Sequence, residues 1–140
     1  MNNYSQKIEA YLFNFHYTGG KVKSMITDEC IFCKIIKGSI KADIIGETET
    51  ALAFKDIKPQ ADTHVLVIPK LHIASTRELN QSNIVYLSEM IFLSNKIADK
   101  EGILNSGYRW IVNTGDHGGQ TVDHLHLHLL GGRQMLWPPG

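Results

Sequence analysis

The segment Val122-Asp123-His124-Leu125-His126-Leu127-His128-Leu129-Leu130 carries a histidine at every second position through its middle. An extended chain has a side-chain period of two, so three imidazoles share one face and three leucines the other. Seven histidines in 140 residues would give such a triplet by chance only about 0.02 times. The pattern therefore calls for a chemical explanation. Imidazole, with an ordinary pKa of about 6.5, keeps a neutral, nucleophilic fraction at pH 7. A row of such rings can ligate a metal, or supply a nucleophile and a proton carrier for group transfer. If the leucines enter the core, the histidines should face a cleft or solvent. Gly118-Gly119-Gln120-Thr121 leads directly into the segment. Glycines let successive backbone N–H groups turn toward one point as an anion-binding nest, and Thr121 adds a hydroxyl. A phosphate nest beside neutral imidazoles is equipment for phosphoryl or nucleotidyl transfer.

Positioning these groups calls for a small α+β domain. Apolar spacing predicts a short helix over 30–37, with Asp28 as its cap and Gly38 as its stop. A long helix is expected over 79–100, its stripe marked by Ile84, Leu87 and Ile91 and its end by Gly102. Strands are expected over 42–47, 50–56, 64–68, 108–113 and 122–130, the third closed by Pro69. Residues 1–25, polar with scattered aromatics, read as a mobile N-terminal extension before a domain over 26–140.

Composition narrows the function classes. The chain is 43% apolar with 14 basic and 14 acidic residues, a formal net charge of zero. Bulk charge therefore does not recruit it to nucleic acid or to an anionic membrane. No apolar run approaches the ~18 residues of a membrane span, and the N-terminus has no secretory pattern. Two cysteines three apart supply no disulfide framework, which makes a reducing, cytoplasmic setting the expectation. Cys30 and Cys33 stay open to three readings: a redox dithiol, free buried thiols, or half of a structural zinc site completed by two histidines. His72 is either a surface residue or part of that site. Phe32, Ile35 and Phe54 suit the core as well as a ligand slot.

Three stretches, CIFCKIIKG, AFKDIKPQADTHVLVIPKLHI and IVNTGDHGGQTVDHLHLHLLGGRQMLWPPG, resemble the histidine triad (HIT) family, and in particular its Hint branch of nucleotide-binding proteins. The likeness runs from about Asp28 to Gly140, and the tail from Gly131 onward is its most branch-specific part. It implies a HIT-like fold: a five-stranded antiparallel sheet with one long and one short helix, pairing into a ten-stranded sheet in a homodimer. His126 matches the family nucleophile, which forms a covalent nucleotidyl-histidine. His128 matches the third triad position, near phosphate and leaving group. His124 and His64 match groups that orient and polarise the nucleophile. Asp56, with Ile57 beside it, matches the ribose-binding carboxylate, and Ile31, Phe32, Ile35 and Phe54 the base slot. Asn113, Gly119, Gln120 and Thr121 match phosphate and leaving-group contacts, and Trp137 a residue reaching toward the partner's site. In related bacterial proteins a Cys-x-x-Cys and two histidines hold zinc, and here the matching set is Cys30, Cys33, His72 and His124. Asp123 stands where an aromatic residue is usual, Thr121 where serine is usual, and Leu136 where histidine is common; leaving-group preference is where these departures bear.

The expected activity is hydrolysis of a purine nucleoside 5′-phosphoramidate to the nucleoside monophosphate and an amine. No cofactor is needed for the chemistry, and any zinc would be structural. The alternative is a nucleotide-binding or zinc-binding scaffold module without a catalytic role.

Overall fold

Residues 27–140 are described by a computed structural model; the expectation for the N-terminal extension falls on 1–25, outside them. Five strands, β1 (Ile44–Glu47), β2 (Ala51–Lys55), β3 (Thr63–Pro69), β4 (Tyr108–Ile111) and β5 (Leu127–Gly131), form one antiparallel sheet in the order β1-β2-β3-β5-β4. A short helix α1 (Ile31–Ile36) and a long helix α2 (Ile84–Lys100) complete the α+β domain. Among the described residues no helix is long and apolar enough to cross a membrane.

The period-two pattern splits the sheet's side chains between two cores. Ala51, Ala53, Val65, Val67, Leu127 and Leu129 meet Met90, Leu93 and Ile97 of α2. Small residues on β1 and β2 let that helix sit close. A Cβ on Gly46 would come within 3.2 Å of Leu93 Cδ1 and 3.3 Å of Ile97 Cδ1, tighter than ordinary contact. Leu52, Phe54, Leu66 and Ile68 point the other way and pack against Phe32 and Ile35 of α1. Burying those two α1 side chains contributes roughly 1.5–3 kcal/mol each, which fixes a helix too short to persist alone.

Four expectations need correction. Cys30, not Asp28, caps α1: its Sγ accepts from the Cys33 N–H, while Asp28 pairs with Lys37. The long helix begins at Ile84, after a 3₁₀ turn over Thr76–Glu78. Asn80 and Asn83 spend their side chains on local backbone, with Asn83 Oδ1 accepting from Asn80 N–H at 2.7 Å, so residues 79–83 favour turns over helix. The last strand begins at Leu127 instead of residue 122. Its partner β3 ends at Pro69, which has no N–H to continue the ladder. Finally, the histidine face does not open to cleft or solvent over its length. His124 is fully buried and His126 only 4% exposed, because α1 covers that side of the sheet.

Candidate active site and metal-ligand cluster

Residues 122–124 bend outside the ladder, with the His124 N–H donating to the Val122 carbonyl at 2.8 Å, yet the rings of His124, His126 and His128 remain neighbours. The rings of His126 and His128 have centroids 5.0 Å apart, and Phe32 packs edge-on to those of His124 and His126. Hydrogen bonds to backbone groups decide the protonation of each ring, because a carbonyl only accepts and a peptide N–H only donates. His124 Nε2 lies 2.9 Å from the Pro69 carbonyl and must donate, leaving Nδ1 as a lone pair. His126 Nδ1 lies 2.7 Å from the His124 carbonyl, so its lone pair is on Nε2. That nitrogen is the one of the two that can act as a nucleophile.

His64 was expected to orient His126. Its partner is instead His128, with His64 Nε2 2.9 Å from His128 Nδ1. The register explains this, since Leu66 pairs with His128 and His64 lies two residues along the same face of β3. Asp56 Oδ2 stands 3.4 Å from the same His64 nitrogen. Burial pushes the pKa of His128 down to about 4, helped by the neighbouring rings of His126 and His64 and opposed by Asp56. Burial also lowers that of His64. Both rings are therefore neutral at pH 7.

These shifts predict an acid-sensitive fold. Above pH 6.5 His128 is neutral whether folded or unfolded and contributes nothing. Below that, the unfolded chain takes up a proton that the folded protein refuses until about pH 4, so stability falls through this window. His128 alone should cost roughly 2–3 kcal/mol by pH 4. Urea unfolding of wild type and His128→Gln between pH 7 and 4 measures it; equal pH slopes for the two proteins would overturn the expectation.

Ile31, Phe32, Ile35, Phe54, Asp56 and Ile57, all expected around the nucleotide, line one cavity of about 200 Å³. That volume suits one flat ring system better than a large ligand. Ile40, Lys41, Ala42, Lys55 and Leu66 also line it and were missed. Of these, Leu66 was detectable from its place two residues after His64 in an alternating strand.

The glycine loop departs from the expected nest. Gly119 N–H donates to Asp116 O at 3.0 Å and Gln120 N–H to Gly115 O at 3.1 Å, so both are used within the loop. Gln120 laces it together: Oε1 accepts from Gly115 N–H, and Nε2 donates to the Ala74 and Val122 carbonyls. Gly118 is required by crowding, since a Cβ there would lie 2.4 Å from the Thr114 carbonyl oxygen. Thr121 is exposed and Asn113 half-buried just past β4. Neither makes a side-chain hydrogen bond to a triad ring.

Cys30, Cys33, His72 and His124 converge beneath α1, with one ligand atom from each lying within 4.8 Å of the others. Cys30 Sγ and Cys33 Sγ are 3.4 and 3.7 Å from His124 Nδ1, and Cys33 Sγ is 3.4 Å from His72 Nδ1. Tetrahedral zinc with ordinary Zn–S and Zn–N bonds needs sulfur–nitrogen separations of about 3.5 Å. The donor set fits. His124 also presents the correct nitrogen, because Pro69 holds the proton on the other one.

A family model described as the scavenger mRNA decapping enzyme C-terminal binding domain matches residues 29–137. The chain belongs to the histidine triad family. It is similar to the purine nucleoside phosphoramidase of Escherichia coli K12, 46% identical over 110 residues covering 79% of this chain and 92% of the relative. A HIT-like protein of Synechococcus elongatus is 49% identical over 115 residues, covering 82% of this chain and all of the relative. Among solved structures, a HIT family hydrolase from Legionella pneumophila superposes with a TM-score of 0.78 at 50% identity, covering 79% of this chain and 99% of that one.

Proposed function

We propose that the protein is a hydrolase of purine nucleoside 5′-phosphoramidates, releasing the nucleoside 5′-monophosphate and an amine. The observation that carries this is the bond from His126 Nδ1 to the His124 carbonyl, which puts the ring's lone pair on Nε2, on the side away from that bond. The base occupies the apolar cavity, and Asp56 at its rim accepts from the ribose hydroxyls. His126 Nε2 bonds to the α-phosphorus as the P–N bond breaks. The amine departs with the bonding pair and takes up a proton on the side of His128 and Thr121, with Asn113 as the phosphate contact. Water then cleaves the phosphohistidine, returns a proton and frees His126. The E. coli relative's name supports the purine assignment.

Zinc is a structural part of the same reading. Cys30, Cys33, His72 and His124 would hold it, and when bound it ties α1 to the histidine segment without entering the chemistry. A cytoplasmic setting suits such reduced thiol ligands. The alternative, a non-catalytic nucleotide-binding or zinc-binding module, is separated by one assay. Purified protein should turn over adenosine 5′-phosphoramidate; tight binding of adenosine monophosphate with no turnover favours the module.

A homodimer completes the proposal. The edge strand β4 exposes Trp110, and the tail leaves Leu136 and Trp137 74% and 83% exposed. Pairing β4 with its two-fold mate joins two sheets and covers the open edge. Sedimentation at micromolar concentration should give twice the 15.7 kDa chain mass; a single-chain mass would refute the dimer.

A further inference from the structure

We propose that Lys41 reads the 6-position of the base and makes the protein selective for 6-oxopurine nucleotides, those of guanine and hypoxanthine, over adenine nucleotides. The inference rests on the nucleotide reading of the site and adds to it the identity of the purine. The apolar cavity carries three charged side chains at its lining, Lys41, Lys55 and Asp56. Two of them are committed. Lys55 Nζ lies 3.7 Å from Asp43 Oδ2. Asp56 Oδ1 accepts from the Lys58 N–H at 2.7 Å, and its Oδ2 stands 3.4 Å from His64 Nε2. Lys41 is exposed, and its ammonium has no ion pair among the described residues. Every other side chain lining the cavity is hydrocarbon, so Lys41 is the uncommitted donor available to a base.

The strand order sets which part of a nucleotide reaches it. His128 of β5 pairs with Leu66 of β3, Leu66 with Phe54 of β2, and Phe54 with Ile44 of β1. Strands about 4.8 Å apart put β1 roughly 14 Å from the histidine strand. A nucleotide with its phosphorus at His126 and its ribose at Asp56 therefore lies across the strands, its base directed toward β1. The Lys55 N–H donates to the Asp43 carbonyl at 2.9 Å, so in this antiparallel pair residues 41–42 run alongside Asp56 and Ile57, one strand further out. The end of a purine remote from the sugar carries N7 and the 6-substituent. Guanine and hypoxanthine present two acceptors there, N7 and O6, whereas adenine presents N7 and an amino donor. An ammonium has three donors and no acceptor. It bonds O6 and N7 of a 6-oxopurine and meets the amino group of adenine donor to donor. Apart from Asp56 at the ribose, the lining side chains offer that amino group no acceptor.

Calorimetric titration of the full chain with guanosine, inosine and adenosine 5′-monophosphate (GMP, IMP and AMP) tests the assignment. Wild type should bind GMP and IMP at least about fivefold more tightly than AMP. Lys41→Met keeps the hydrocarbon stem and removes the donors. It should bring GMP and IMP to within about twofold of AMP, with AMP itself within about twofold of wild type. Lys41→Arg, which restores paired donors, should retain a preference of at least about threefold. Because Lys41 is exposed, both variants should melt with the wild type. Four results would overturn the proposal: equal affinity for GMP and AMP in wild type; IMP behaving like AMP, which moves recognition to the 2-amino group; a preference that survives Lys41→Met; or an equal loss of all three nucleotides in that variant, which makes the lysine a general attraction for phosphate. If none of the three binds, the nucleotide reading falls and the base assignment with it; if all three bind alike, only the base assignment falls. Binding needs no turnover, so the preference without hydrolysis would count against the phosphoramidase reading alone.

Discussion

His126→Ala should abolish turnover of adenosine 5′-phosphoramidate, a loss on the order of 10⁴-fold or more, while adenosine monophosphate binding stays within about tenfold, ~1.4 kcal/mol. The two effects separate because the ring's work and the pocket's work lie on different residues. In the proposed reading affinity would come from the apolar cavity with Asp56 at its rim, which His126 does not line. Attack needs the Nε2 lone pair held by the His124 carbonyl, and alanine supplies no substitute. Truncation of a 4%-exposed ring leaves a void beside Phe32, so some loss of stability is expected too. Rapid-quench detection of a phosphohistidine in wild type, absent from the variant, would link the loss to the nucleophile. Wild-type turnover by His126→Ala would sink the assignment.

The next largest effect should come from the metal cluster. Untagged protein purified without chelator should carry about one zinc per chain. Cys33→Ser should lose it, together with several kilocalories of stability. A metal present at a hundredfold excess over its Kd adds about 2.7 kcal/mol to a fold that binds it, which for a domain of this size is about 10 °C in melting temperature. Chelation of the wild type should produce a similar fall that added zinc reverses. Cys33 is fully buried, so its thiolate exists as a ligand or hardly at all, and desolvation raises the thiol's pKa when no metal is present. Well under one zinc per chain, or a melting temperature indifferent to chelator, would refute the site.

Much of this architecture was legible in alternation and punctuation. The period-two leucines and histidines, the apolar run ahead of Pro69 and the stripe from Ile84 all reappear as packed elements. What escaped depended on partners distant in sequence. Nothing in HLHLH says where the ladder ends, because that is decided by a proline on another strand. The covered histidine face came from a six-residue helix whose docking depends on Phe32 meeting Phe54, a contact between rings 5.6 Å apart. The family resemblance placed His64 near the triad, but only the register of β3 against β5 shows that it addresses His128. The loop glycines spelled a phosphate nest, and the Gln120 side chain that laces the loop carried no signal of its own.

The two cores on opposite faces of the sheet have a consequence for engineering. The proposed chemistry lies on the α1 side, whereas the α2 side is mainly apolar packing around Met90, Leu93 and Ile97, with Tyr108 donating to Asn95 of the helix. If the proposed chemistry holds, the sheet is a bulkhead between a compartment that reacts and one that mainly bears weight. Volume-conserving repacking against α2 should change melting temperature while leaving rate constants where they were, as cores generally tolerate such exchange. Comparable edits under α1 would alter ligand fit and durability together. Directed evolution for a new leaving group can therefore draw its stability reserve from one compartment and make its mistakes in the other.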